Sequence, residues 1–280
     1  MSESKPITIK DIQSRKKQGR KISMLTAYDY SLAAILDQAN IDIILVGDSV
    51  ANVMLGLDST RQVGMKEMLH HAKAVRRAVK RAVLIGDMPF EALQGTAGRA
   101  VSCAKKFMEE AGCDGVKVEW SKDCLKITKA ILKSGIPVMG HAGLTPQTAR
   151  QLGGFKVQGK ESSSAQAILE NAKAFEKAGC FSLVLECIPQ ELAGIITKNL
   201  SIPTIGIGAG IHCDGQVLVT YDLLGLFDRY KPKFVKQYAN LSQEIVKSVL
   251  RFRHEIEQGA FPNRTHSYSM DPLELKKMIV

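Results

Sequence analysis

Three carboxylates stand where runs of β-forming residues end: Ile-Ile-Leu-Val-Gly-Asp48, Val-Leu-Ile-Gly-Asp87 and Val116-Lys-Val-Glu119. An acid at the C-terminal tip of a parallel strand lies on the face where a (β/α)₈ barrel carries its chemistry. One such acid alone reads equally well as the N-cap of the next helix. Three on successive strands, whose tips stand about 4.8 Å apart, can reach one ion. All-oxygen ligation suits Mg²⁺ or Mn²⁺ better than Zn²⁺. The chain has no HxH or HExxH run to supply imidazoles. These acids therefore point to an enzyme that uses a hard divalent cation.

Other residues fall on the same face. Lys117 lies two residues before Glu119, so the two side chains point to one side of a strand. Turned inward, Lys117 would hold a substrate carboxylate; turned outward, it is an exposed strand-end lysine. Glu186 ends the apolar run Leu183-Val-Leu-Glu186-Cys-Ile-Pro189, a setting that suits a general base. Ser49 follows Asp48 and would either donate to an anion or cap the next turn. His141 reads as a donor, a base or a buried core residue. Ile205-Gly-Ile-Gly-Ala-Gly210 looks like a dinucleotide loop, but no clear helix or ribose-binding acid follows at the required distance. Those glycines fit a close backbone approach or a tight turn.

The elements that must position these residues alternate. Short apolar segments at Ile22–Ala27, Ile41–Gly47, Val83–Asp87, Gly115–Glu119, Pro137–His141, Ser182–Glu186, Thr204–Gly208 and Gln216–Thr220 read as buried parallel strands. Too few residues precede the last for a full helix. Amphipathic stretches at Lys66–Arg81, Ala97–Ala111 and Gln166–Ala178 lie between them, the latter two stopped by Gly112 and Gly179. Thr145-Pro146 reads as a helix start. Leu152-Gly-Gly-Phe-Lys-Val-Gln-Gly159 reads as a loop, either mobile over the active face or an ordinary connection. A long helix at about Ala239–Gln258 precedes a polar tail. The expected fold is a single α/β domain over residues 1–280. It is a (β/α)₈ barrel with a core of about 21–262, an N-terminal helical segment, and a C-terminal helix plus a tail at 263–280.

The 280 residues are 45% hydrophobic and 6% aromatic, as suits an aliphatic α/β core. No apolar run is long enough to span a bilayer, which argues against a membrane protein. The N-terminus lacks a signal-peptide pattern. The six cysteines contain no CxxC pair and fit free thiols of a reducing cytoplasm. The formal net charge of +10 raises nucleic acid as a partner. Lys73-Ala-Val-Arg-Arg-Ala-Val-Lys-Arg81, however, interleaves its charges with apolar residues, as the solvated face of a helix does. No stacking aromatics accompany it. Attraction of an anionic substrate is the better use of the excess.

The motifs taken together resemble the ketopantoate hydroxymethyltransferase family. They are Leu25-Thr-Ala-Tyr-Asp-Tyr30, Val46-Gly-Asp-Ser49 with Leu57-Asp-Ser-Thr60, Gly86-Asp-Met-Pro-Phe90 and Val116-Lys-Val-Glu119. Gly140-His-Ala-Gly-Leu-Thr-Pro-Gln147, Gly153-Gly-Phe-Lys-Val-Gln-Gly159, Leu185-Glu-Cys-Ile-Pro189, Ile205-Gly-Ile-Gly-Ala-Gly210 and Asp214-Gly-Gln-Val-Leu-Val219 follow in family order, and the match covers about Lys21 to Pro262. The resemblance implies a Mg²⁺-dependent enolate mechanism in pantothenate synthesis. In it, a hydroxymethyl group passes from 5,10-methylenetetrahydrofolate to 3-methyl-2-oxobutanoate to give ketopantoate. It carries the metal onto Asp48, Asp87 and Glu119. It carries substrate contacts onto Asp48, Ser49, Asp87 and Lys117, and the proton acceptor onto Glu186. It also implies a homo-oligomer, typically a decamer.

Two departures from the family pattern, Val50-Ala51 and Trp120-Ser121, are expected in loops at the active face. Two rival readings remain open in the sequence. One is a related Mg²⁺-dependent 2-oxo acid lyase or aldolase barrel, which the same carboxylates would serve. The other is a non-catalytic binding barrel.

Overall fold

A computed structural model of the chain describes residues 5–148 and 156–278. The described part of Leu152–Gly159, residues 156–159, has no regular secondary structure; the rest of that expected loop lies outside the described residues. Eight parallel strands close into one barrel in sequence order. They are β1 (Ile22–Thr26), β2 (Ile43–Val46), β3 (Val83–Asp87), β4 (Gly115–Glu119), β5 (Val138–Gly143), β6 (Ser182–Glu186), β7 (Thr204–Ile207) and β8 (Gly215–Leu218). Helix α1 (Ile9–Lys17) precedes the barrel. The outer layer is α2 (Tyr30–Gln38), α3 (Val50–Val53), α4 (Met65–Ala78), α5 (Ala97–Glu109), α6 (Cys124–Lys133), α7 (Ser162–Ala178) and α8 (Gln190–Asn199). After β8 come α9 (Thr220–Leu223), α10 (Leu241–Glu257) and α11 (Pro272–Met278).

The strands are where the apolar runs predict them, with ends shifted by a residue or two. No helix joins β7 to β8; residues 208–214 make that return as a loop. Thr145-Pro146 leads into a short 3₁₀ turn, Pro146–Thr148, within the described residues.

The period-2 alternation of each strand divides the core into two layers. Ile43, Leu45, Val83, Ile85, Met139, Val184, Ile205 and Val217 point inward and fill the barrel. Ile44, Val46, Leu84, Val116, Val118, Val138, Leu183 and Leu185 point outward and pack under the helices. Ile12 of α1 is fully buried in the inner cluster, so the N-terminal helix plugs the barrel floor. Two outward positions are glycines because aromatic rings lie directly on them. A Cβ at Gly140 would meet Phe175 of α7 at 2.7 Å, and one at Gly86 would strike the Phe107 ring of α5.

The floor is also tied by charge. The Asp42 carboxylate accepts from the Ser23 amide at 3.0 Å and the Ser23 hydroxyl at 2.9 Å. It pairs with Arg15 of α1 and, at 3.6 Å, with Arg81. Burial alone would raise its pKa, but the Ser23 donors and Arg15 outweigh burial and hold it below the ordinary carboxylate range. Asp42→Ala is expected to cost about 3 kcal/mol in urea unfolding at neutral pH, because it leaves buried cations and donors without a partner. A lowered folded-state value means this contribution is complete above the unfolded value of about 3.9 and is lost as pH falls through the folded one. The stability difference between parent and variant should therefore shrink in acid.

The amphipathic helix α10 buries no residue within the chain. Its Ile245, Val249, Phe252 and Ile256 form one stripe at helical spacing, and all are about half exposed.

Candidate active site

The alternation that fills the barrel also aims the polar residues. Asp87 lies two residues beyond the inward Ile85, His141 two beyond Met139, and Glu186 two beyond Val184. Lys117 and Glu119 share the inward phase of β4. Strand register sets these side chains beside one another, since Asp87 pairs with Lys117 across β3–β4 and Glu119 with His141 across β4–β5. The layer above the apolar barrel filling is therefore charged, and it floors a cavity of about 650 Å³ at the C-terminal face. Asp48, Ser49, Asp87, Lys117, Glu119 and Glu186 all line this cavity, as does His141. Lys117 takes the inward of its two expected orientations.

Lys117 Nζ lies 2.7 Å from Asp87 Oδ1 and 3.6 Å from Glu119 Oε1, with the ammonium almost wholly enclosed. Burial would lower its pKa, but Asp87, Glu119 and Asp48 outweigh burial and raise it. His141 bridges the acids. Its Nδ1 is 3.3 Å from Glu119 Oε1 and 3.5 Å from Lys117 Nζ, and its Nε2 is 3.2 Å from Glu186 Oε2. Burial and Lys117 would lower the imidazole, but the two glutamates outweigh them and push it up to about 9.

The carboxylates divide by environment. Burial, then repulsion from Asp87 and Glu119, pushes Asp48 well above its ordinary value. Burial also raises Asp87, against the pull of Lys117. Glu119 is raised by burial and pulled further down by Lys117, His141 and the Gln147 amide, so it ends below its ordinary value.

Three residues that the sequence did not single out support this layer. Gln147 donates from Nε2 to Asp48 Oδ2 and to the Met88 carbonyl, both at 3.0 Å, and from its backbone N–H to Glu119 Oε2 at 3.1 Å. Tyr28 is buried, and its hydroxyl is 2.7 Å from Ser49 Oγ, so Ser49 is oriented by the tyrosine and makes no helix-capping bond. His71 Nδ1 in turn holds the Tyr28 carbonyl at 2.7 Å. All three contacts join residues distant in sequence, so no local pattern announces them.

The residues fit a hard cation in charge and in donor type. Among the described residues, four carboxylates face one ammonium and one imidazole. Asp87 Oδ1 and Glu119 Oε1 are buried without a well-formed hydrogen bond, although Lys117 lies nearby. Among the described residues the acids do not form a preassembled three-donor cage. Asp48 turns to Gln147, and Lys117 holds the other two.

Neither departure from the family pattern lines the cavity. Val50 and Ala51 are buried in the one-turn helix α3 rather than in a loop. Trp120 turns outward, with its ring edge-on to Phe175 at 5.3 Å. With the Asn171 amide oxygen turned towards it, Trp120 Nε1 donates at 3.1 Å. Neither Trp120 nor Ser121 lines the cavity. The glycines at 206–210 receive protein rather than a ligand. Gly208, at φ +62, takes the Phe234 ring, and Gly210, at φ +77, abuts Gln190.

Comparison with known proteins gives the family. The family model described as ketopantoate hydroxymethyltransferase matches residues 6–264. The chain is 50% identical over 264 residues to the 3-methyl-2-oxobutanoate hydroxymethyltransferase of Syntrophomonas wolfei subsp. wolfei (strain DSM 2245B / Goettingen), covering 94% of this chain and 96% of that one. It is also 50% identical over 268 residues to the enzyme of the same name from Moorella thermoacetica (strain ATCC 39073 / JCM 9320), covering 96% and 100%. A solved phosphoenolpyruvate phosphomutase from Streptomyces platensis subsp. rosaceus shares the fold, with a TM-score of 0.60 at 14% identity over 98% of this chain and 96% of that one. The chain belongs to the ketopantoate hydroxymethyltransferase family of enzymes.

Proposed function

We propose that this chain transfers a hydroxymethyl group from 5,10-methylenetetrahydrofolate to 3-methyl-2-oxobutanoate, giving ketopantoate for pantothenate synthesis. Asp48, Asp87 and Glu119 would hold Mg²⁺. When bound, the ion supplies a Lewis acid that makes the C3 proton of the oxo acid removable. The observation that carries the reading is the single layer of Asp48, Asp87, Lys117, Glu119, His141 and Glu186 facing one cavity.

The geometry supports a role for each residue. Lys117, an enclosed ammonium between two acids, attracts and fixes the substrate carboxylate. Asp48, Asp87 and Ser49 make the remaining polar contacts, with Ser49 oriented by Tyr28. Val184, Ile207 and Val217 line the cavity as apolar surface suited to the branched chain and exclude water from C3. Glu186 takes the C3 proton, and His141 holds its Oε2 from 3.2 Å away. C3 then bonds the one-carbon unit, whose C–N bonds to N5 and N10 of the folate break; water supplies the hydroxyl, and its other proton and the one taken from C3 end on those two nitrogens.

Turnover measured with and without methylenetetrahydrofolate separates this transfer from a lyase or aldolase acting on the same oxo acid. Product formed without the folate would contradict it. Gln147→Ala is expected to lower kcat/KM by about 10- to 100-fold, because it frees Asp48 from the side-chain amide while the backbone N–H stays on Glu119. Steady-state kinetics at saturating Mg²⁺ checks this.

The reading extends to a homo-oligomer, a decamer, with the unfilled apolar stripe of α10 buried against a second copy. Light scattering on the purified chain tests it: a monomer at micromolar concentration would contradict it.

A further inference from the structure

The cavity has a second half that the oxo acid does not need. Its 650 Å³ is in the range that holds a drug-sized ligand, well beyond a five-carbon acid. The acid layer occupies the arc from β2 to β6. The opposite wall, beyond β8, is formed by Asp222 of α9 with Phe227, Tyr230 and Phe234. Arg229 Nη1 clasps this segment to the Gly56 carbonyl at 2.9 Å, and the Phe234 ring is seated on Gly208.

Polar groups beside that wall are already engaged. Thr26 Oγ1 accepts from the Thr220 amide, Asn52 donates to the Leu57 carbonyl, and Arg229 is held by Gly56. The Asp222 carboxylate is partly buried on the cavity wall, and among the described residues no hydrogen bond or ion pair reaches it. Burial alone pushes its carboxyl up to about 6. A partly desolvated carboxylate without a cation or donor costs stability unless a ligand satisfies it. The proposed catalysis gives it no task.

A reduced pterin supplies what this wall lacks. Its 2-amino group and N3–H form a planar pair of donors that matches the two oxygens of a carboxylate. Its flat pyrimidinone ring suits a wall carrying three aromatic side chains. Resting on the folate-dependent reading above, we infer that Asp222 binds the 2-amino–N3–H edge of the folate donor's pterin, against Phe227, Tyr230 and Phe234. This sets the one-carbon unit towards the oxo acid from the β8 side of the mouth.

Titration of the full-length enzyme with tetrahydrofolate, at saturating Mg²⁺ and oxo acid, tests the inference. The second ligand is the analogue in which methyl replaces the 2-amino group. The parent should bind the analogue about 10- to 100-fold more weakly than tetrahydrofolate. Asp222→Asn should lose a similar factor for tetrahydrofolate and discriminate between the two ligands by less than about twofold. C3–H exchange of the oxo acid in D₂O should persist in the variant. Unchanged tetrahydrofolate affinity in Asp222→Asn overturns the inference, as does full discrimination kept by the variant, or exchange lost with folate binding intact. If the variant does not fold, the parent alone decides: equal affinity for the two ligands overturns the assignment, and strong preference for tetrahydrofolate supports it. A parent enzyme that binds neither ligand refutes the folate reading itself, a result distinct from normal folate binding by the variant.

Discussion

Glu186→Gln is expected to bind Mg²⁺ and 3-methyl-2-oxobutanoate as the parent does, yet to lose C3–H exchange in D₂O by about 10²- to 10⁴-fold. The carboxylate ends β6 in the inward phase, and its side chain is largely shielded from solvent. Among the described residues its one charged neighbour at ion-pair distance is His141, on the adjacent strand β5. A glutamine keeps the size and a polar contact to His141 but has no basic oxygen for the proton. The acids of β2, β3 and β4 and the Lys117 ammonium remain in place, so binding and exchange should separate. Exchange at the parent rate would remove Glu186 from the role of base. Equal loss of binding and exchange would make it a structural residue of the acid layer instead.

Lys117→Met should be the most damaging single change to the acid layer. Methionine fills most of the same volume, but Asp87 and Glu119 lose the cation between them. Removing one partner of a buried ion pair costs about 3–5 kcal/mol, because the remaining charge has nothing to offset its desolvation. Urea unfolding of the metal-free variant should show that loss, and added Mg²⁺ should recover part of it by meeting the freed acids. For the oxo acid the loss of the ammonium is worth about 2–5 kcal/mol, or roughly 30- to several-thousand-fold in affinity. Parent-like affinity would show that the substrate carboxylate binds elsewhere.

The acid layer was legible in the sequence because it depends on two local rules. A strand alternates its faces, so Lys117 and Glu119 had to share one. Successive parallel strands end on one face, so Asp48, Asp87, Glu119 and Glu186 had to converge. Those rules leave inward and outward open, and the structure resolves this through register: Asp87 beside Lys117, Glu119 beside His141. Gln147 and Tyr28 stand within motifs, but their contacts are made across strands, at sequence separations that no motif spacing reports. Val50 and Ala51 were misplaced into a loop because a one-turn helix carries too little periodicity to be seen. Asp222 was hidden for the same reason. It lies in a four-residue helix after β8, where neither alternation nor a capping pattern marks it. The N-terminal helix was expected, but its task was not, since only packing shows Ile12 closing the barrel floor.

The glycines carry a related lesson. Ile205-Gly-Ile-Gly-Ala-Gly210 has the composition of a nucleotide loop, yet its glycines admit Cys213, Phe234 and Gln190. Composition alone does not separate a backbone that approaches a ligand from one that approaches a neighbouring side chain. Here the effect on function is indirect, through the Phe234 ring that the Gly208 backbone seats on the cavity wall.

The most direct test of the account is product formation by metal-stripped enzyme given both substrates, followed as Mg²⁺ is added back. No ketopantoate should form from 3-methyl-2-oxobutanoate and methylenetetrahydrofolate before addition. Activity should return as Mg²⁺ fills one site per chain, and should fail to return in a variant lacking both Asp48 and Asp87. Ketopantoate made at full rate with no divalent ion present, or by that double variant, would contradict it.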